Sequence, residues 1–89
     1  MFEYDPDKSE ANMAKHGIDF EQAQELWLDE ARAEVESEGG AEVRWLLMGK
    51  IEGRHWTAVY TMRDGKVRII SVRRSRANEV RDYGSRQDN

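Results

Sequence analysis

The chain has 89 residues, 36% of them charged and 38% hydrophobic, with three Trp, three Tyr, no Cys and a formal net charge of −4. That length suits one domain, residues 1–89, with a thin core, and the aromatic content argues against a disordered chain. No apolar run approaches the roughly 20 residues of a membrane span, and the missing Cys excludes a disulfide frame and a thiolate zinc site. The N-terminus FEYDPDK lacks a signal-peptide pattern, so a cytoplasmic protein with no membrane partner is expected. His16 and His55 have no ligand-spaced neighbours, so neither a metal nor a cofactor is expected.

Net charge conceals an asymmetry. Residues 1–42 carry 13 acids and 3 bases, while residues 43–89 carry 5 acids and 11 bases. Such a split suggests a polyanion-binding region beside an acidic one. The alternative is a scattered surface charge that folding mixes.

In chain order, FEY (2–4) reads as a short strand. Asp5 and Pro6 then form a helix start, and Gly17 supplies a left-handed stop after His16. A second helix starts at Asp19, where Gln22 completes a capping box, and Phe20, Ala23, Leu26 and Trp27 have helical spacing. Residues 29–42 are acidic and lose apolar periodicity, which predicts a solvated connector with a turn at Gly39-Gly40.

Three strands follow, VRWLLMG (43–49), HWTAVYTM (55–62) and KVRIISV (66–72). Asp64-Gly65 is a two-residue hairpin signal. It fixes the pairs Met62–Val67, Tyr60–Ile69, Ala58–Ser71 and Trp56–Arg73 on one face. Thr61–Arg68, Val59–Ile70 and Thr57–Val72 fall on the other. The Val59, Ile70 and Val72 face reads as the core side, and the Trp56, Tyr60, Ser71 and Arg73 face as the ligand side. In that register Arg68 and Arg73 point to opposite faces. A last helix over 75–83, capped by Ser75 and ended by Gly84, would turn Ala77, Val80 and Tyr83 to the sheet and leave SRQDN frayed. The predicted fold is α+β: an antiparallel sheet with two N-terminal helices and one C-terminal helix.

Three ordered stretches carry a resemblance: FEYDPDKSEANMAKHGIDFEQA, EVRWLLMG and WTAVYTMRDGKVRIISVRRSRANEVRDY. Through Asp5, Lys8, Asn12, Lys15-His16-Gly17, Phe20-Glu21, Arg44-Trp45, Gly49, Thr61, Arg63, Arg68-Ile69-Ile70-Ser71, Arg73, Glu79 and Tyr83, the chain resembles the BrnT family of bacterial type II toxins. It departs from the usual pattern at Tyr4, at Val72 and at Asp29-Glu30, where Trp, Ala and Asp-Pro are common. The resemblance implies a RelE-like microbial ribonuclease fold and inhibition of translation by RNA cleavage. It also implies neutralisation by a BrnA-like ribbon-helix-helix antitoxin, with DNA contacted only through the toxin–antitoxin complex.

Metal-independent RNA cleavage uses the 2′-OH as nucleophile. The site must accept its proton, offset growing charge on the phosphate and protonate the leaving 5′-oxygen. Arginine suits the phosphate, because its planar fork matches the oxygens and stays charged. Arg63, Arg68 and Arg73 are the catalytic candidates for that role, and Arg54, Ser71, Arg74 and Arg76 are candidates for RNA binding. Each arginine has the alternative of a solvated strand end. His16 is an acid/base candidate with Lys15 beside it, at a helix C-terminus that favours the imidazolium; its alternative is a capping or core histidine. Tyr83, one helical turn after Glu79, either stacks on a base and positions a proton or packs on the sheet. Trp56 and Tyr60 are base-stacking or core residues. A non-enzymatic RNA- or protein-binding regulatory module is the competing function. Direct DNA binding is disfavoured, since no helix-turn-helix spacing is present.

Overall fold

A computed structural model describes residues 1–37 and 40–87. Strand β1 (Phe2–Glu3) leads into helix α1 (Pro6–His16), and both helix boundaries agree with the sequence signals. Asp5 Oδ1 accepts from the Asp7 N–H at 2.9 Å, and Pro6 sits in the first turn, where its lack of an N–H is harmless. At the far end Gly17 takes φ +81°, and its N–H donates to the Met13 carbonyl at 2.9 Å. The inner face of α1 is polar. Asn12 Nδ2 donates to the Ile18 and Val72 carbonyls at 2.8 and 2.9 Å, and Ser9 Oγ accepts from the Phe20 N–H at 2.9 Å. These bonds fix the turn after α1 against the sheet, where an apolar stripe alone would leave the main chain of residues 18–20 to find other partners.

The second helix differs from expectation. The Asp19–Gln22 capping box forms, but α2 is one turn (Phe20–Ala23) that tightens into a 3-10 stretch over Gln24–Leu28. Phe20, Ala23 and Leu26 explain the tightening: at three-residue spacing they line up at three residues per turn, and all are fully buried. The acidic connector also differs. Ala33–Ser37 is a strand, β2, with Ala33 and Val35 turned inward and Glu34 and Glu36 exposed. The expected Gly39-Gly40 turn lies partly outside the described residues; Gly40 has φ +83°.

Strands β3 (Arg44–Ile51), β4 (Arg54–Arg63) and β5 (Lys66–Arg74) complete a five-stranded sheet in the order β1-β5-β4-β3-β2. The sheet is mixed, not antiparallel throughout, because β1 runs parallel to β5 with Phe2 opposite Val67. Two tight hairpins join the central strands. Asp64-Gly65 and Glu52-Gly53 both have two successive positive φ angles, +53° with +76° and +50° with +78°. That is the twist which two-residue hairpins favour.

The β4–β5 register follows the sequence expectation from Arg63–Lys66 to Tyr60–Ile69, then slips by one residue. A β-bulge at Ile70 sets Val59 opposite Ser71, Thr57 opposite Arg73 and Trp56 opposite Arg74. The slip divides the expected faces: Val72 keeps the core side and Ser71 and Arg73 the other, but Trp56 and Tyr60, expected with the arginine, lie with Val72, and Val59 lies with Ser71. Trp56, Ala58 and Tyr60 join Leu47, Ile69 and Val72 in the core beneath α1, α2 and the 3-10 stretch. Arg68, Ser71 and Arg73 thereby share the opposite face, since a bulge between them restores the same side.

Helix α3 (Ala77–Gln87) packs on that opposite face. It starts two residues later than expected and continues through Gly84; the remaining expected tail, Asp88 and Asn89, lies outside the described residues. Tyr83 packs with Met48 and Ala33, whereas Ala77 is exposed. Ser75 does not cap α3: its hydroxyl bonds with Thr57 Oγ1 at 2.8 Å, and Glu79 accepts from the Arg76 N–H at 2.8 Å. None of the described helices is long and apolar enough to cross a membrane.

Candidate functional site at the end of the sheet

The Glu52-Gly53 turn, the last residues of β5 and helix α3 meet at one end of the sheet. Register alone brings Lys50 opposite His55, Ile51 opposite Arg54 and Trp56 opposite Arg74. The main chain of His55 is held from β5, because its carbonyl accepts from the Ser75 N–H at 3.1 Å and from Arg74 Nε at 3.3 Å. Its ring meets the Tyr83 ring edge-on at 5.3 Å between centroids, and Lys50 Nζ lies 5.9 Å from the same Tyr83 ring. Arg74 lies over the Trp56 ring, with Cζ 5.4 Å from its centroid.

Asp29 anchors this end from beneath. Its Oδ2 accepts from the Tyr83 hydroxyl at 2.8 Å and from the Lys50 N–H at 2.9 Å, and Oδ1 accepts from the Ala31 N–H at 2.9 Å. Burial works to raise the Asp29 pKa, but these hydrogen bonds outweigh it and hold the carboxyl below its ordinary value. Close packing of the 3-10 stretch on β3 requires Gly49, where a Cβ would stand 3.2 Å from Leu26 Cδ2 and 3.4 Å from Asp29 Oδ2.

His55 is the titratable group with a base-like environment. Burial, then the charges of Lys50 and Arg74, push its pKa below 6.5, and Asp29 only partly opposes them. At neutral pH the imidazole is therefore mostly neutral and able to take a proton.

Arg73 has a different setting. Its two terminal nitrogens grip Glu79 at 2.7 and 2.8 Å, and Glu79 also accepts from Thr57 Oγ1 at 3.0 Å. The pairing raises the Arg73 pKa further. For Glu79, burial pulls upward, but Arg73, the Arg76 N–H and Thr57 together bring its pKa down to about 2. This bidentate pair fastens the start of α3 to β5.

The other sequence candidates divide by position. Arg54 is exposed on β4 next to His55, and Arg76 is exposed just before α3. Neither of these, nor Lys50 or Arg74, has a carboxylate at ion-pair distance among the described residues. Lys15 and His16 end α1 and precede Gly17, which lines a cleft shared with Arg54 and Trp56. Ser71 is half-buried on the face of Arg73. Arg63 and Arg68 lie apart from the group. Arg63 pairs with Lys66 six residues along β4 from Thr57, about 20 Å away at ~3.3 Å per residue, and Arg68 opposite Thr61 is about 13 Å away. Both have carboxylate neighbours, Glu42 at 3.8 Å and Glu3 at 3.7 Å.

Lys50, His55 and Asp29 are the site residues that sequence reading passes over. In the sequence His55 stands out only as a possible metal ligand. The signal that could have found it is the tight turn at Glu52-Gly53, which sets Lys50 directly across from it.

A search of curated proteins finds no match to this chain. A family model described as the ribonuclease toxin BrnT of type II toxin–antitoxin systems matches residues 4–79, from Tyr4 through Glu79, and so takes in α1, strands β2 to β5 and the Arg73–Glu79 pair. The chain belongs to the BrnT family of ribonuclease toxins of type II toxin–antitoxin systems.

Proposed function

We propose that the chain acts as a single-domain, metal-independent endoribonuclease of RelE-like type, with its active site at the His55 end of the sheet. The observation that carries this reading is the meeting of one neutral-leaning imidazole with two cations that have no carboxylate at ion-pair distance among the described residues, His55 with Lys50 and Arg74. His55 takes the proton from the ribose 2′-OH as that oxygen attacks phosphorus. Arg74 and Arg54 offset the charge that grows on the phosphate oxygens. The P–O5′ bond breaks, a 2′,3′-cyclic phosphate forms, and the Lys50 ammonium protonates the departing 5′-oxygen. Tyr83, held by Asp29, keeps the His55 ring in place from its edge. Arg73 serves as the positioning residue for this end of β5, and Arg76 extends the basic rim.

A type II toxin is paired with a protein antitoxin. The proposed partner is a BrnA-like ribbon-helix-helix protein that acts in the cytoplasm and covers the basic end against RNA, with DNA bound only through the antitoxin. Charge complementarity supports this, because the exposed bases of this end would face acidic side chains.

Purified protein incubated with single-stranded RNA and EDTA should release products with 2′,3′-cyclic phosphate or 3′-phosphate ends. Activity that vanishes in EDTA and returns with magnesium overturns the metal-free reaction. Salt-sensitive RNA binding without any product supports instead a non-enzymatic binding module.

A further inference from the structure

The cleft between the α1–α2 turn and the β3–β4 hairpin has a volume of about 350 Å³, within the range of small-molecule sites. Its composition is unlike the basic rim beside it. Trp56 and Ile51 give it an apolar wall, and Gln22, Glu25, Glu52 and Arg54 are its polar lining. Trp56 joins the two regions, since the same ring that lines the cleft lies beneath Arg74.

Carboxylates in the cleft repel phosphate and attract hydrogen-bond donors. Within a nucleotide, the donors lie on the base. Gln22 and Glu25 are three residues apart, so their side chains neighbour each other on one side of the α2 and 3-10 segment. Gln22 has a fixed orientation: its Oε1 accepts from the Asp19 N–H at 3.0 Å, which leaves its Nε2 hydrogens free to donate outward. The pair therefore presents one donor group beside a two-oxygen acceptor. Guanine has the complementary edge, with O6 as acceptor beside the N1–H and N2–H donors. Adenine and cytosine offer a single amino group on that edge, and uracil offers one N–H between two acceptors, so each leaves part of the pair unmatched.

We propose that this cleft binds a guanine base of single-stranded RNA, with Glu25 accepting from N1–H and N2–H, Gln22 donating to O6 and Trp56 forming the apolar wall. The proposal rests on the ribonuclease reading above and adds a substrate preference to it. The RNA strand would then leave the cleft, pass Arg54 and Arg74 and turn around the end of the sheet to reach His55 on the α3 face, and cleavage would fall next to guanosine.

Two measurements on the full chain test it. The first follows the Trp56 indole N–H resonance, assigned through Trp56→Phe, while guanosine, adenosine, cytidine or uridine 3′-monophosphate is added. The guanosine nucleotide alone should give a saturating shift, and Glu25→Gln should weaken it at least tenfold. Glu25 is exposed, so this change leaves the fold intact. Gln22→Glu keeps the acceptor for Asp19 but removes the donor, and should weaken guanosine binding as well. The second compares single-turnover cleavage of oligonucleotides with each base at one varied position; Glu25→Gln should erase the preference for guanosine. Glu25-dependent guanosine binding without cleavage keeps the cleft assignment and removes the ribonuclease reading. Cleavage with no base preference and no guanosine-specific shift does the reverse. Guanosine binding that survives Glu25→Gln unchanged overturns the assignment of the cleft.

Discussion

Replacing Glu79 by Gln removes a charge from a residue that is only 4% exposed and holds three partners. Gln keeps the shape but turns an amide donor towards donors of Arg73, Thr57 or the Arg76 N–H. Breaking a buried ion pair by removing one partner costs about 3–5 kcal/mol. The Arg73 side chain is 22% exposed and can regain some water, which places the expected loss at or just below that range, about 2–3 kcal/mol. A second route gives a similar figure. The pKa of Glu79 falls from 4.5 to about 2, with burial opposing and Arg73 as the largest favourable cause. Each tenfold change in proton affinity corresponds to about 1.4 kcal/mol, so the fall corresponds to roughly 3 kcal/mol of folding stability. Because the folded-state pKa is depressed, this contribution is present above pH 4.5 and disappears as pH falls towards 2. Urea unfolding followed by circular dichroism at pH 7, 4 and 2.5 measures both effects. The parent should lose stability between pH 4.5 and 2 more steeply than Glu79→Gln, and the two should converge at the acid end. A loss below about 0.5 kcal/mol at pH 7, or parallel pH profiles, refutes the view that this pair fastens α3 to the sheet.

Three further outcomes are expected. The acidic limb of the cleavage rate should have its midpoint below 6.5, because burial, Lys50 and Arg74 depress the His55 pKa and the neutral form is the one required; Lys50→Met, which also removes the proposed acid and slows cleavage, should move the His55 titration followed by NMR upward. Gly49→Ala should cost about 1–3 kcal/mol in thermal or urea unfolding, since the new Cβ meets fully buried Leu26 at 3.2 Å with the Leu26 carbonyl at 3.5 Å behind it. Arg74→Glu with Arg76→Glu, checked for folding by circular dichroism, should weaken antitoxin binding in a titration and reduce its salt dependence.

Local backbone chemistry made several elements legible in the sequence. Asp5-Pro6, Gly17, the Asp19–Gln22 box and Asp64-Gly65 each form through bonds within a few residues, so no distant partner can override them. The failures came where tertiary packing decides. No residue in IISV announces a bulge at Ile70, yet that one extra residue separates Trp56, which lies on the core side with Val72, from Arg73, which keeps the opposite face. Strand β2 was hidden by its acids, because Glu34 and Glu36 on the exposed side of an edge strand look like a solvated run until Met48 and Leu46 are set against Ala33 and Val35. The arginine-rich stretch is visible, but sequence cannot separate arginines that meet carboxylates, such as Arg68 and Arg73, from one such as Arg74 that meets none among the described residues. Equally, His55 acquires meaning only when the Glu52-Gly53 turn and α3 bring Lys50 and Tyr83 beside it.

The site assignment at the His55 end is tested most directly by one comparison of RNA cleavage. Single-turnover rates in EDTA are measured for the parent, His55→Ala and Arg63→Ala, each shown to be folded. Loss of the base should slow cleavage by about 10²–10⁴-fold, whereas Arg63→Ala, eight residues and about 26 Å along β4 from His55 and beside Glu42, should stay within about threefold of the parent. Full activity in His55→Ala together with a collapse in Arg63→Ala would place the chemistry at the other end of the sheet and contradict the account.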